Sequence, residues 1–171
     1  KQFGGTGRLT REGGEQENKA FKALLKRMSE PRGLVGGPAV AEAAVRRGAV
    51  VFSPDPSDQR IEFGVEGVAQ TIPEPVSAIG FLCDLSATET GETYAFAITR
   101  TLSEILTKTH SLAQFAPRAK SQDEGLKLAQ IARDRIYDAE ALNAEWRRRF
   151  VEKLDAFIEN PTATAPTPKA R

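Results

Sequence analysis

Hydrophobic and polar residues alternate with two different periods along the chain, and these periods predict where helices and strands lie. Between residues 18 and 30, and again between 38 and 47, apolar side chains recur three and four positions apart, as on one face of a helix. Pro31 ends the first of these segments, and Gly48 ends the second. The pattern therefore predicts two helices in the N-terminal part of the chain.

Four segments further along have the composition or the shorter period of β-strands. They are residues 49–53, 60–65, 78–86 and 93–100. In the last two, apolar side chains occupy alternate positions, so one face of each strand would be buried. A helix over the last segment would turn Phe96 away from Tyr94 and Ile98, and we therefore favour a strand there. Gly91 lies between these two strands, where a hairpin can use a positive φ.

Two short motifs predict the starts of two C-terminal helices. "TLSE" at 101–104 and "SQDE" at 121–124 each place a hydroxyl three residues before a glutamate, which is the spacing of a capping box. The first predicted helix ends by Pro117, and the second continues to Glu159, before Pro161.

The second of these helices is predicted to be long, with a continuous apolar stripe. Its 38 residues would extend about 57 Å, whereas a compact body of this chain length is about 40 Å across. Part of the stripe would then need cover from a second copy or another protein. The expected partner interface consists of Leu142, Trp146, Phe150, Leu154 and Phe157. The alternative is a helix that is bent or broken near Arg135, the one charged residue inside the stripe.

Together these elements predict an α+β fold. A small antiparallel sheet of about four strands would carry two N-terminal helices and two C-terminal helices, the last one long and amphipathic. The predicted divisions are a flexible glycine-rich arm at 1–16, an α+β body at 17–120, the long helix at 121–160 and a disordered tail at 161–171.

Charge is distributed unevenly, although the formal net charge is only +1. Residues 1–47 contain ten basic and five acidic side chains, whereas residues 48–116 contain three and nine. The basic block suggests a nucleic-acid contact as an alternative function. Its expected contact residues are Lys19, Lys22, Lys26, Arg27, Arg32, Arg46 and Arg47. The loop after the first strand carries Asp55 and Asp58, and this weakens the case because two acidic groups would face phosphate.

Residues with catalytic potential are few. The chain contains one cysteine, Cys83, and one histidine, His110, so an ordinary zinc site is excluded and no phosphate-binding loop is present. Cys83 lies in an apolar run, where a thiol behaves as a small hydrophobe, and we do not expect a Cys–His dyad. The sequence predicts no cofactor, no metal and no enzymatic activity.

The lone cysteine and the short apolar runs favour a cytoplasmic protein that does not cross a membrane. We therefore expect a non-catalytic structural or protein–protein interaction subunit that assembles through its C-terminal helix into an oligomer or larger complex. The alternative is a nucleic-acid-binding module that uses the basic N-terminal helices and arm.

Overall fold

The computed structural model describes residues 34, 36–48, 50–53, 61–62 and 74–162. Over these residues the chain forms seven helices and one pair of short strands. The first elements are α1 (Pro38–Arg46), β1 (Val51–Phe52), β2 (Ile61–Glu62) and α2 (Pro75–Ser86). The remaining elements are α3 (Glu89–Thr93), α4 (Ala95–Thr107), α5 (Leu112–Phe115), α6 (Gln122–Tyr137) and α7 (Ala144–Glu159).

Helix α2 is the centre of the fold. Every residue from Val76 to Ser86 is buried, because α1, α4, α5 and α6 all pack against this helix. The predicted strand at 78–86 is therefore wrong. A helix that is enclosed on all sides needs no polar face, so its sequence lacks the helical period that identifies an amphipathic helix.

The predicted strand at 93–100 is also wrong, since most of it belongs to α4. Phe96 is 66% exposed, whereas Ile98 is fully buried. The helix thus turns Phe96 away from the core, which is the arrangement that the sequence analysis rejected in favour of a strand. The motif at 101–104 does not start a helix either, because the hydroxyl of Thr101 donates to the carbonyl of Ala97 within α4 (2.9 Å).

The predicted four-strand α+β fold is contradicted, because the described residues are mostly helical. The first two predicted strands appear as two residues each, paired antiparallel with Val51 opposite Glu62 and Phe52 opposite Ile61. The ring of Phe52 stacks on Tyr94 at a centroid distance of 4.3 Å. The short strand pair is therefore an attachment to a helical body.

The single long C-terminal helix is likewise wrong, because α6 and α7 are separate helices that pack against each other. Helix α6 has its N-cap at Ser121, as predicted, since the Ser121 hydroxyl accepts from the backbone N–H of Glu124 (3.1 Å). A second start follows at Asn143, whose side chain accepts from the backbone N–H groups of Glu145 (2.9 Å) and Trp146 (3.2 Å). The break lies a few residues beyond Arg135, the position considered for a bend.

Gly91 has a different role from the predicted hairpin turn. It lies buried in α3, where an added Cβ would come 1.7 Å from the backbone oxygen of Leu85. Only a residue without a side chain allows this close approach between α3 and the end of α2.

The predicted helix at 38–47 is confirmed as α1, with Pro38 in its first turn and Gly48 at a φ of 79° just after it. The predicted helix at 18–30, the arm at 1–16 and the tail beyond residue 162 lie outside the described residues.

Candidate functional site

The stripe predicted as a partner interface is mostly covered by the chain itself. Leu142, Phe150, Leu154 and Phe157 are buried, whereas Trp146 is 37% exposed. The cover comes from α6 and α4, which both pack against α7. The length argument for an external partner no longer holds, and Trp146 is the residue of this set that reaches the surface.

Charged side chains surround Trp146 on α7. The guanidinium of Arg149 lies 4.9 Å from the centre of the tryptophan ring, and the ring of Phe150 lies 6.0 Å away on the buried side. Arg148 pairs with Glu145 (3.1 Å) and Glu152 (2.8 Å), and Arg149 also reaches Glu145 (3.4 Å). These arginines therefore form an exposed, locally neutralised rim.

The predicted nucleic-acid contacts are only partly described. Arg46 and Arg47 are exposed at the C-terminal end of α1. The other five lie outside the described residues: Lys19, Lys22, Lys26, Arg27 and Arg32. The structure therefore does not bring the seven residues together into one described surface.

A pocket of about 460 Å³ opens where α2, α4, α5 and β2 meet. Glu74, Ala78, Thr101, Ile105, Thr109 and Gln114 are among the residues that line it. Glu74 is the N-cap of α2 and is 1% exposed, yet its side chain makes no capping hydrogen bond. A buried carboxyl group therefore forms part of the wall of a cavity.

The carboxyl group of Glu74 has weak partners. Its Oε1 accepts from the hydroxyl of Ser77 at 3.4 Å, whereas its Oε2 accepts no hydrogen bond from any described residue. The guanidinium of Arg118 lies 3.6 Å from Oε2, which makes an ion pair but is too long for a hydrogen bond. Burial raises the pKa of Glu74, and the charge and backbone N–H of Arg118 and the Ser77 hydroxyl only partly offset this effect.

A second buried carboxylate, Asp84, lies near the other end of α2. Arg135 of α6 donates to its Oδ1, and the backbone N–H of Gly37, the N-cap of α1, donates to its Oδ2 (3.0 Å). Arg135 also reaches the carbonyl of Gly80 at 3.4 Å. Asp84 thus joins α1, α2 and α6 through hydrogen bonds that are already made.

The two residues considered for nucleophilic chemistry offer little support for it. Cys83 is buried in α2, and this burial raises the pKa of its thiol to about 12. Its thiolate, the reactive form, is therefore scarce near neutral pH. His110 is exposed after α4. No group of three or more His, Cys, Asp or Glu side chains suited to a metal ion occurs among the described residues.

No helix within the described part of the chain has the length and apolar character needed to cross a membrane.

Sequence reasoning missed both buried carboxylates. Asp84 carries a sequence signal, because it is the one charge within the apolar run from Pro75 to Ser86. Glu74 carries none, because a glutamate before Pro75 resembles an ordinary exposed residue at a helix start. Its burial becomes visible only in the folded structure, where Glu74 lies beside Arg118 and lines a pocket with residues of α4 and α5.

No protein-family model, no curated protein and no solved structure gives a significant match to this chain.

Proposed function

We propose that this chain is a non-catalytic interaction subunit that associates with a second copy through the exposed edge of α7 around Trp146. The observation that carries the proposal is the 37% exposure of Trp146 beside Arg149 and above the buried Phe150. Tryptophan and arginine are the residue types most enriched among energetically dominant interface positions.

Charge favours a second copy as the partner. Helix α7 carries four basic and four acidic residues. The acidic residues are Glu145, Glu152, Asp155 and Glu159. Two such helices related by a two-fold axis meet without net repulsion, and the arginines of one copy face glutamates of the other. A reducing, cytoplasmic setting is part of this proposal and is supported by the single cysteine, Cys83.

Light scattering after size-exclusion chromatography tests the proposal over a range of protein concentrations. We expect a dimer for the wild type and dimerisation roughly thirtyfold weaker for Trp146→Asp, since a central interface residue contributes about 2 kcal/mol or more. The chain has one tryptophan, so its fluorescence should shift to shorter wavelength as the dimer forms.

Tyr137→Asp provides the matched control. Tyr137 is another exposed aromatic residue, and it lies beside Arg148 in a groove on a different side of α7 from Trp146. This variant should dimerise like the wild type. A wild type that stays monomeric, or a dimer unaffected by Trp146→Asp, would contradict the proposal.

The nucleic-acid alternative gains no specific support, because only Arg46 and Arg47 of its seven expected contacts lie in the described part of the chain.

A further inference from the structure

The pocket at the start of α2 is lined by a buried carboxyl group whose Oε2 has an ion pair with Arg118 at 3.6 Å but no hydrogen bond from the described residues. Glu74 is 1% exposed, and its Oε2 receives no hydrogen bond from the described residues. A buried carboxylate oxygen in this state is only partly compensated, because it has lost its water and has gained the charge of Arg118 without a hydrogen bond. Glu74 is among the residues that line the cavity, so a bound molecule that takes the place of the exposed Arg118 side chain can supply the missing donor.

Nearby hydroxyl groups already use their protons elsewhere. The Thr109 hydroxyl donates to the carbonyl of Ile105 (2.7 Å) and the Thr101 hydroxyl to that of Ala97 (2.9 Å). Each oxygen retains lone pairs that can accept. Together with Glu74, these groups give the pocket several acceptors.

Donors on the lining are fewer. Gln114 uses its side-chain oxygen to accept from the backbone N–H of His110 (2.8 Å), which leaves its amide NH₂ as a donor. Lys108 is exposed and can extend its ammonium into water. Ala78 and Ile105 supply apolar wall between the polar groups.

We propose that this pocket binds a small molecule with a planar cationic N–H donor, an amidinium or guanidinium group on an apolar stem. The planar cation donates to the Glu74 carboxylate, and the stem packs on Ala78 and Ile105. Two parallel N–H donors match a carboxylate better than a single ammonium does. The volume of about 460 Å³ lies in the range of small-ligand sites.

Benzamidine is the probe, and ligand-detected NMR or calorimetry gives the affinity. We expect the wild type to bind benzamidine and to bind the neutral analogue benzamide at least tenfold more weakly, because the charge-assisted hydrogen bonds are lost. Benzoate should not bind. Absence of benzamidine binding, or equal binding of benzamide, would overturn the proposal.

Glu74→Gln tests the residue itself. It removes the charge but keeps the size of the side chain, and it should weaken benzamidine binding roughly ten- to a hundredfold. Glu92→Gln on α3, an exposed glutamate that does not line the pocket, should bind like the wild type. Equal binding by Glu74→Gln would overturn the proposal.

A second variant leaves Glu74 intact and fills the pocket. Thr101→Leu places a larger apolar side chain on the lining at a half-buried position of α4. It should abolish benzamidine binding while circular dichroism shows an unchanged helical content. Full binding by a folded Thr101→Leu variant would place the ligand elsewhere and contradict the proposal.

Protonation provides an independent readout. Arg118 lies beside Glu74, and Glu104 and Lys108 are the other charged residues in the described part of the chain that line the pocket. Because the ligand needs the Glu74 carboxylate, binding should weaken as the pH falls through the raised pKa of Glu74, and this change should be absent from Glu74→Gln. Affinity that stays constant over this range, in which benzamidine remains a cation, would overturn the role of Glu74.

Discussion

Glu74 and Asp84 lie at opposite ends of α2, and both are buried carboxylates beside an arginine. Asp84 accepts hydrogen bonds from Arg135 and from the backbone of Gly37. Glu74 has a long hydrogen bond from Ser77, an interaction with the backbone N–H of Arg118 and an ion pair with the Arg118 guanidinium at 3.6 Å, but its Oε2 accepts no hydrogen bond from the described residues. Burial is the largest influence on both groups and raises both pKa values. The two ends of one helix thus differ in how completely their charges are satisfied.

The helix dipole alone would make Glu74, and not Asp84, the better-stabilised carboxylate. A negative charge is stabilised at a helix N-terminus, where Glu74 lies, and destabilised near a C-terminus, where Asp84 lies. The better-bonded carboxylate nevertheless stands at the unfavourable end, because α1 and α6 bring donors to it. Asp84 therefore connects helices, whereas the Oε2 of Glu74 retains an unfilled hydrogen-bond position, on which the ligand proposal rests.

The largest expected effect comes from breaking the Asp84 end. Asp84→Asn should lower the free energy of unfolding by about 3 kcal/mol, because one of the two oxygens that accept from Arg135 and from the backbone N–H of Gly37 becomes an NH₂ group that faces another donor. Urea denaturation followed by circular dichroism measures the change. Glu92→Gln on the exposed face of α3 should change stability by less than about 0.5 kcal/mol, and an equally small effect of Asp84→Asn would contradict a structural role.

At the Glu74 end of α2 we expect a smaller change in the free energy of unfolding, of opposite sign. Glu74→Gln should leave the protein at least as stable as the wild type near neutral pH, because it removes a buried charge that has weak partners. The same urea denaturation makes the comparison. A loss comparable to that of Asp84→Asn would show that Glu74 is structural and would remove the contrast.

The pH dependence of the wild type's stability follows from the burial of Glu74. Between the ordinary pKa of 4.5 and the raised pKa of Glu74, the folded state binds more protons than the unfolded state. Stability should therefore increase as the pH falls through this range. Asp84 acts in the same direction, so the difference between the wild type and Glu74→Gln isolates the contribution of Glu74. A difference that does not change with pH would contradict the assignment.

The smallest effect concerns Cys83, the neighbour of Asp84. Its buried thiol, with a pKa of about 12, should react with a disulfide reagent far more slowly than the same residue in urea. Asp84→Asn should speed this reaction by loosening the packing around α2, whereas Glu74→Gln should leave the rate unchanged. Equal rates in all three proteins would mean that the two ends of α2 do not differ in local stability.

The sequence was informative where a signal is local. The cap at Ser121, the proline at the start of α1 and the pairs of Arg148 and Arg149 with nearby glutamates all follow from residues within four positions of one another. Local hydrogen bonds and side-chain spacing determine such features directly.

The sequence was misleading where burial does not follow the spacing of apolar residues expected for an amphipathic helix. Residues 78–86 are enclosed on every side, so their alternation carried no information about a strand. At Phe96 an apolar residue is exposed, and the assumption that it faces the core produced the second false strand. A break near Arg135 was only the alternative to one long helix, because the apolar stripe continues in phase across it, and the second helix start at the N-cap Asn143 was not predicted.

The sequence by itself determined which segments are apolar enough to be buried, where several helices begin, and that Cys83 is a poor candidate nucleophile. Only the tertiary structure decided that α6 and α7 cover each other, that Trp146 stays at the surface, and that Glu74 and Asp84 are enclosed with different partners. The reason is physical. Local patterns fix the geometry of each element, whereas burial and hydrogen bonding depend on neighbours that lie far away in the sequence.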